Sequence, residues 1–114
     1  MLALRDEPSE WMYELLLDTK HRLEGGYLVG KGGVDKCTVD TLEIYMAAVA
    51  SNSHAFALVH NQPSGVVEPS PDDVALARRI AEGSQLLGLS ADSIIIGDGR
   101  YFSFYESGLL QRKS

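Results

Sequence analysis

The 114-residue chain lacks features that would mark several classes of protein. It has a single cysteine, Cys37, which excludes an internal disulfide and any zinc site built from cysteine pairs. No apolar run approaches the roughly 20 residues that a membrane span needs, and the charges among residues 1–12 argue against a signal peptide. We therefore expect a cytoplasmic protein with no membrane segment.

Basic residues are also scarce. The chain has 10 Lys and Arg against 16 Asp and Glu, a formal net charge of −6. Only Arg78-Arg79 and Arg112-Lys113 are adjacent basic pairs. Because affinity for DNA rests largely on basic side chains that neutralise phosphates, we expect no direct DNA binding by this acidic chain.

The remaining composition is that of an ordinary globular protein, with 45% hydrophobic residues. We predict one domain over residues 1–114, with residues 1–8 as a lead-in. Turn signals and apolar periodicity predict, in order, strands at 11–17 and 22–29, a helix from 41 to about 52, a strand at 55–59, a helix from 71 to about 87, and strands at 93–96 and 101–104. The sequence is also compatible with a short edge segment at 34–39 and a terminal helical turn at 105–110. This order predicts an α/β fold in which a mixed β-sheet is flanked by helices.

Two weaker patterns have structural explanations. Residues 25–31 match the phosphate-loop pattern G-x-x-x-x-G-K, but Gly32 follows where a hydroxyl is needed, so we predict a hairpin and a loop there. Cys37 has no base nearby in the sequence, and His21 and His54 fall at a turn and at a helix end. All three are interpreted as structural residues.

His60 differs because of its neighbours. It ends an apolar strand and opens a Pro/Gly loop, where we expect it to be presented at a sheet edge. Gln62 lies in that loop, and Ser70 and Asp73 form a capping-box pattern at the next helix start. With a histidine at position 62, this spacing would supply the three protein ligands of an open catalytic zinc site.

Residues 60–65 (His-Asn-Gln-Pro-Ser-Gly), 68–73 (Glu-Pro-Ser-Pro-Asp-Asp), 92–99 (Asp-Ser-Ile-Ile-Ile-Gly-Asp-Gly) and 17–22 resemble the RadC family of the JAMM, or MPN, superfamily. The resemblance covers nearly all of residues 9–110. It implies the JAMM fold, which is related to the cytidine-deaminase-like fold, and zinc-dependent hydrolysis of peptide or isopeptide bonds.

The family motif is His-x-His-Pro followed by Ser-x-x-Asp. By resemblance, His60, Gln62 and Asp73 occupy the three metal-ligand positions, and Ser70 matches the serine that helps to hold the oxyanion. Glu10 is the best match to the general base, with Glu43 as the alternative.

The chain departs from the family at Gln62, where a histidine is expected, and at Ser93, where a histidine is usual. A neutral amide is a poor zinc donor, so we expect zinc to be weakly bound or absent. With its metal role lost, His60 is also expected to be dispensable for the fold.

Three functional hypotheses follow. The first is a weakly active or inactive domain that binds a protein or peptide partner. The second is a working zinc-dependent peptidase or isopeptidase. The third is an accessory protein in DNA repair that acts through a partner. The sequence leaves enzymatic activity and oligomeric state open.

Overall fold

The computed structural model describes residues 10–31 and 40–110. The strands are β1 (Trp11–Leu17), β2 (Leu23–Lys31), β3 (Ala55–Asn61), β4 (Ser90–Gly97) and β5 (Arg100–Ser103). The helices are α1 (Thr41–Ala50), α2 (Pro71–Leu86) and α3 (Phe104–Ser107).

The strands form one sheet in the order β2-β1-β3-β4-β5. The β3–β4 pair is parallel and is connected through α2, whereas the other neighbouring pairs are antiparallel. This arrangement confirms the predicted mixed α/β fold.

The described helices pack on one face of the sheet, which we call the inner face. Its core contains strand residues and residues of both long helices: Met12, Phe56 and Leu58, Ile44 and Ala48 of α1, and Leu76 and Ile80 of α2. Farther along the sheet, Ile95 packs with Ala77 of α2 and Phe104 of α3. Trp11, Ala57 and Val59 form a second apolar cluster, which contains no residue of the described helices.

Local hydrogen bonds explain where the helices begin. The Asp40 side chain accepts from the backbone N–H groups of Leu42 and Glu43, which caps α1. Ser70 caps α2 in the predicted capping box, and Pro71 takes the first helical position. In the β4–β5 hairpin, Asp98 and Gly99 both have positive φ, as the tight turn requires.

The structure corrects several predicted positions. Phe104 was expected in the last strand, but it begins α3. Gly30 and Lys31 were expected in a loop, but they extend β2 and pair with β1. His60 was expected to end its strand and to be presented where the loop begins, but β3 continues to Asn61 and His60 is only 8% exposed. The edge segment at 34–39 and Cys37 lie outside the described residues.

None of the helices in the described part of the chain is long and apolar enough to span a membrane.

Candidate functional site

The candidate site lies where β3 ends and α2 begins. His60 is near the end of β3, and Asp73 is in the first turn of α2. Both side chains are buried, and His60 Nε2 lies 3.7 Å from Asp73 Oδ1. The structure therefore brings together two of the three residues that were predicted as metal ligands.

The loop after β3 is anchored to β4. The Gln62 N–H donates to the Ile96 carbonyl at 2.7 Å, and the Gln62 carbonyl accepts from the Gly65 N–H at 2.9 Å. A Cβ on Gly97 would lie 2.8 Å from the Gln62 carbonyl oxygen, so this close approach requires glycine. These contacts hold the backbone of Gln62 next to the end of β3.

The capping box orients Asp73. Its Oδ2 accepts from the Ser70 N–H at 2.8 Å, while Ser70 Oγ accepts from the Asp73 N–H at 3.1 Å. Because Oδ2 is held in this way, Oδ1 is the oxygen that lies near His60. Ser70 therefore positions Asp73, and its predicted oxyanion role stays a prediction.

Burial determines the charge of His60. It lowers the pKa of the imidazole below its usual value, and the nearby Asp73 carboxylate opposes the shift only partly. The ring is therefore neutral at pH 7. The 3.7 Å contact between His60 Nε2 and Asp73 Oδ1 is too long for a hydrogen bond.

The donor set does not match a tightly held zinc ion. A neutral imidazole and a carboxylate are suitable ligands, but Gln62, the residue predicted for the third ligand position, has only a neutral amide. Within residues 10–31 and 40–110, no group of three His, Cys, Asp or Glu side chains is arranged to hold a metal ion. The residues present thus supply two good zinc ligands where a catalytic site needs three.

The two candidate general bases lie in different places. Glu10 immediately precedes β1, at the end of the sheet where the Trp11 N–H donates to Asn61 Oδ1 at 2.7 Å. This is the same end as Gln62. Glu43 is on α1, where its backbone carbonyl lies 3.4 Å from the Tyr27 hydroxyl. The assignment of Glu10 or Glu43 as the general base therefore stays a prediction.

Glu14, in the middle of β1, was missed by the sequence analysis. Its side chain is completely buried, and Oε1 accepts a 2.5 Å hydrogen bond from the Tyr27 hydroxyl. Burial raises the pKa of Glu14 to about 7; the Tyr27 hydrogen bond opposes this shift and the charge of Glu43 adds to it. Its Oε2 has no hydrogen-bond partner among the residues that the structure describes.

Glu14 is also close to the candidate site. Met12 pairs with His60 and Glu14 pairs with Leu58, so Glu14 and His60 are diagonal neighbours on the inner face. Such neighbours have Cα atoms roughly 7–8 Å apart. The signal in the sequence was a carboxylate inside the apolar run 11–17, in alternation with Met12 and Leu16.

Comparisons with known proteins agree with this architecture. The family model described as a RadC-like JAB domain matches residues 1–109. A UPF0758 protein of Trichlorobacter lovleyi is 43% identical over 108 residues, which are 94% of this chain and 47% of the relative. A UPF0758 protein of Geobacter sulfurreducens is 39% identical over 109 residues, covering 95% of this chain and 48% of the relative.

A UPF0758 protein of Methanosarcina mazei is 35% identical, with the same two coverages, 95% and 48%. The chain thus spans about half the length of the curated relatives it matches.

The mixed sheet with its helices, together with the family match, defines an α/β domain of the JAB class. Within that class, the chain belongs to the RadC-like JAB domain family.

Proposed function

We propose that this chain is a RadC-like JAB domain with an incomplete metal site, weakly active or inactive as a hydrolase, that acts by binding a protein or peptide partner. One observation carries the proposal. His60 and Asp73 are brought together, but the remaining ligand position is Gln62, and no third His, Cys, Asp or Glu of the described residues completes the group.

The consequence for chemistry follows from zinc affinity. Loss of residues that merely support metal ligands costs roughly 10–100-fold in affinity or activity, so loss of a direct imidazole ligand should cost at least as much. Hydrolysis at neutral pH needs a metal that is held firmly enough to lower the pKa of its bound water to about 7. A domain with a site this weak is better suited to binding than to catalysis.

The two alternative functions, a zinc peptidase and a DNA-repair accessory protein, need different features. A working zinc peptidase needs Gln62, or a rearranged residue, to complete the ligand set. A role in DNA repair needs a partner protein, because the net charge of −6 disfavours direct contact with phosphates.

The test compares zinc binding by the wild type, Gln62→His and the control Gln62→Asn, which keeps an amide. We expect the wild type to retain no stoichiometric zinc after dialysis against a mild chelator. By calorimetric titration, Gln62→His should bind zinc roughly 10- to 100-fold more tightly than the wild type. Gln62→Asn should not gain affinity.

Bound zinc should also raise the melting temperature of Gln62→His more than that of the wild type, by mass action. One zinc retained per wild-type chain would contradict the proposal and favour a working enzyme. Equal affinities in the wild type and Gln62→His would show that the loop is not arranged as a metal site.

A further inference from the structure

Helix α1 carries apolar side chains on two sides. Ile44 and Ala48 are completely buried against the sheet. Leu42, Met46 and Val49 are 62%, 59% and 58% exposed. These three residues are spaced by four and three positions, so they form one row on the helix surface, which we call the α1 stripe.

Helix α1 also contacts α2 through Tyr45. The Tyr45 hydroxyl donates to the Ile80 carbonyl at 3.2 Å. A Cβ on Gly83 would lie 2.2 Å from the Tyr45 oxygen, so glycine allows α1 to rest against α2 at this point. Leu86 lies one turn after Gly83 and is 90% exposed. Both α1 and α2 therefore carry exposed apolar side chains.

Such a surface has an energetic cost in water. A helix that is apolar on all sides is usually buried, and contiguous exposed apolar patches commonly mark sites of protein association. The α1 stripe lies outside the apolar clusters of the described residues. It is therefore a candidate contact surface for another molecule.

The size of the surface favours a short segment over a second copy of this chain. Helix α1 has 10 residues and so is about 15 Å long. A stable dimer usually buries about 800 Å² on each partner. Three side chains on a helix of this length suit a segment of a few turns better.

Charge favours a basic partner. Asp40 and Glu43 lie at the start of α1, and the helix has no Lys or Arg. On α2, the positive charge of Arg79 acts on Tyr45 of α1, so Asp40, Glu43 and Arg79 together have a formal charge of −1. The chain as a whole has a net charge of −6, so a second copy would be repelled, whereas a basic segment would be attracted.

We propose that the α1 stripe docks a basic amphipathic helix of a partner protein. The apolar side of that helix packs on Leu42, Met46 and Val49, and its Lys or Arg side chains lie near Asp40 and Glu43. The contact would be helix against helix, with the apolar residues of the partner at i, i+3, i+4 and i+7 as anchors. The inference rests on the proposed binding function, but it uses a surface separate from His60, Gln62 and Asp73. The zinc titration and the docking experiment can therefore fail independently.

The test uses two synthetic amphipathic peptides of 14 residues, one built from Leu and Lys and one from Leu and Glu. Fluorescence anisotropy would measure their binding to the wild type, to the double variant Leu42→Gln/Met46→Gln and to Tyr101→Gln. The control residue Tyr101 is 60% exposed on β5, which is separated from α1. Neither variant changes the net charge.

We expect the Leu/Lys peptide to bind the wild type and Tyr101→Gln equally, within about twofold, and the double variant at least about tenfold more weakly, because it loses two apolar contacts. The Leu/Glu peptide should not bind. Circular dichroism should show that all three proteins are folded.

Equal binding of the Leu/Lys peptide by the double variant and the wild type would overturn the proposal, because attraction would then be purely electrostatic. Dimerisation of the wild type in sedimentation velocity, abolished in the double variant, would also overturn it and would assign the stripe to a second copy.

Discussion

Glu14 has no solvent-exposed surface, and its pKa of about 7 lies well above its ordinary value of 4.5. A folded chain with this residue binds more protons than the unfolded chain at any pH between these two values. The free energy of unfolding contributed by Glu14 must therefore fall as pH rises through that window. His60 acts in the opposite direction, because its pKa is lowered in the folded state.

We predict that Glu14→Gln removes the fall in unfolding free energy that Glu14 causes as pH rises. Between pH 4.5 and 7, the wild type should lose about 3 kcal/mol of unfolding free energy relative to Glu14→Gln, because one pKa unit corresponds to about 1.36 kcal/mol. Urea titrations at several pH values measure this difference, and the contribution of His60 is common to both proteins. The exposed control Glu68→Gln should follow the wild type. If the unfolding free energies of the wild type and Glu14→Gln changed with pH in the same way, the pKa of Glu14 would not be raised in the folded protein.

Among the strands and helices, β3 determines the environment of the candidate site. All seven of its residues are buried, since it is the central strand and α1 and α2 cover its inner face. His60 is part of this buried strand, which argues against the expectation that it is dispensable for the fold. Its removal would leave a cavity and the buried Asp73 carboxylate without its neighbour.

We predict that Leu58→Ala and Ile95→Ala each cost about 2–5 kcal/mol, as expected for truncation of fully buried side chains. His60→Ala should cost about 1–3 kcal/mol, because a buried polar group loses its neighbour. The exposed control Val66→Ala should change stability by no more than about 0.5 kcal/mol. Urea midpoints measure all four variants. A His60→Ala value equal to that of Val66→Ala would mean that His60 contributes nothing to packing.

The charge of the whole molecule determines its behaviour towards nucleic acid. The chain has 16 acidic and 10 basic residues. The Arg78-Arg79 pair does not form a concentrated patch, because adjacent helical residues point about 100° apart. Arg78 Nε also donates to the Leu109 carbonyl at 3.0 Å. Arg78 and Arg79 are thus poorly placed to neutralise phosphates together.

We predict no measurable binding of this chain to duplex or single-stranded DNA at physiological salt. Non-specific binding by basic proteins already has dissociation constants of only about 10⁻⁴–10⁻⁶ M, and an acidic chain should bind more weakly. Fluorescence anisotropy with labelled DNA is the measurement, and Arg78→Ala/Arg79→Ala should give the same result. Low-micromolar affinity with a steep salt dependence would favour the DNA-repair hypothesis over a protein-binding module.

The sequence by itself determined the order of the elements and most of their ends. The capping groups Asp40 and Ser70 and the Asp98-Gly99 turn act on neighbouring residues, so they are readable from short patterns. The family motif likewise singled out His60 and Asp73, which the structure brings together.

The tertiary structure decided how these residues are surrounded. The burial of His60 depends on strands and helices distant in the chain. The raised pKa of Glu14 depends on burial and on the charge of Glu43, and the Tyr27 hydrogen bond opposes it. The exposure of the α1 stripe follows from the side on which α1 meets the sheet and α2. Periodicity along one helix cannot predict this, because apolar residues on both of its sides fit either orientation equally well.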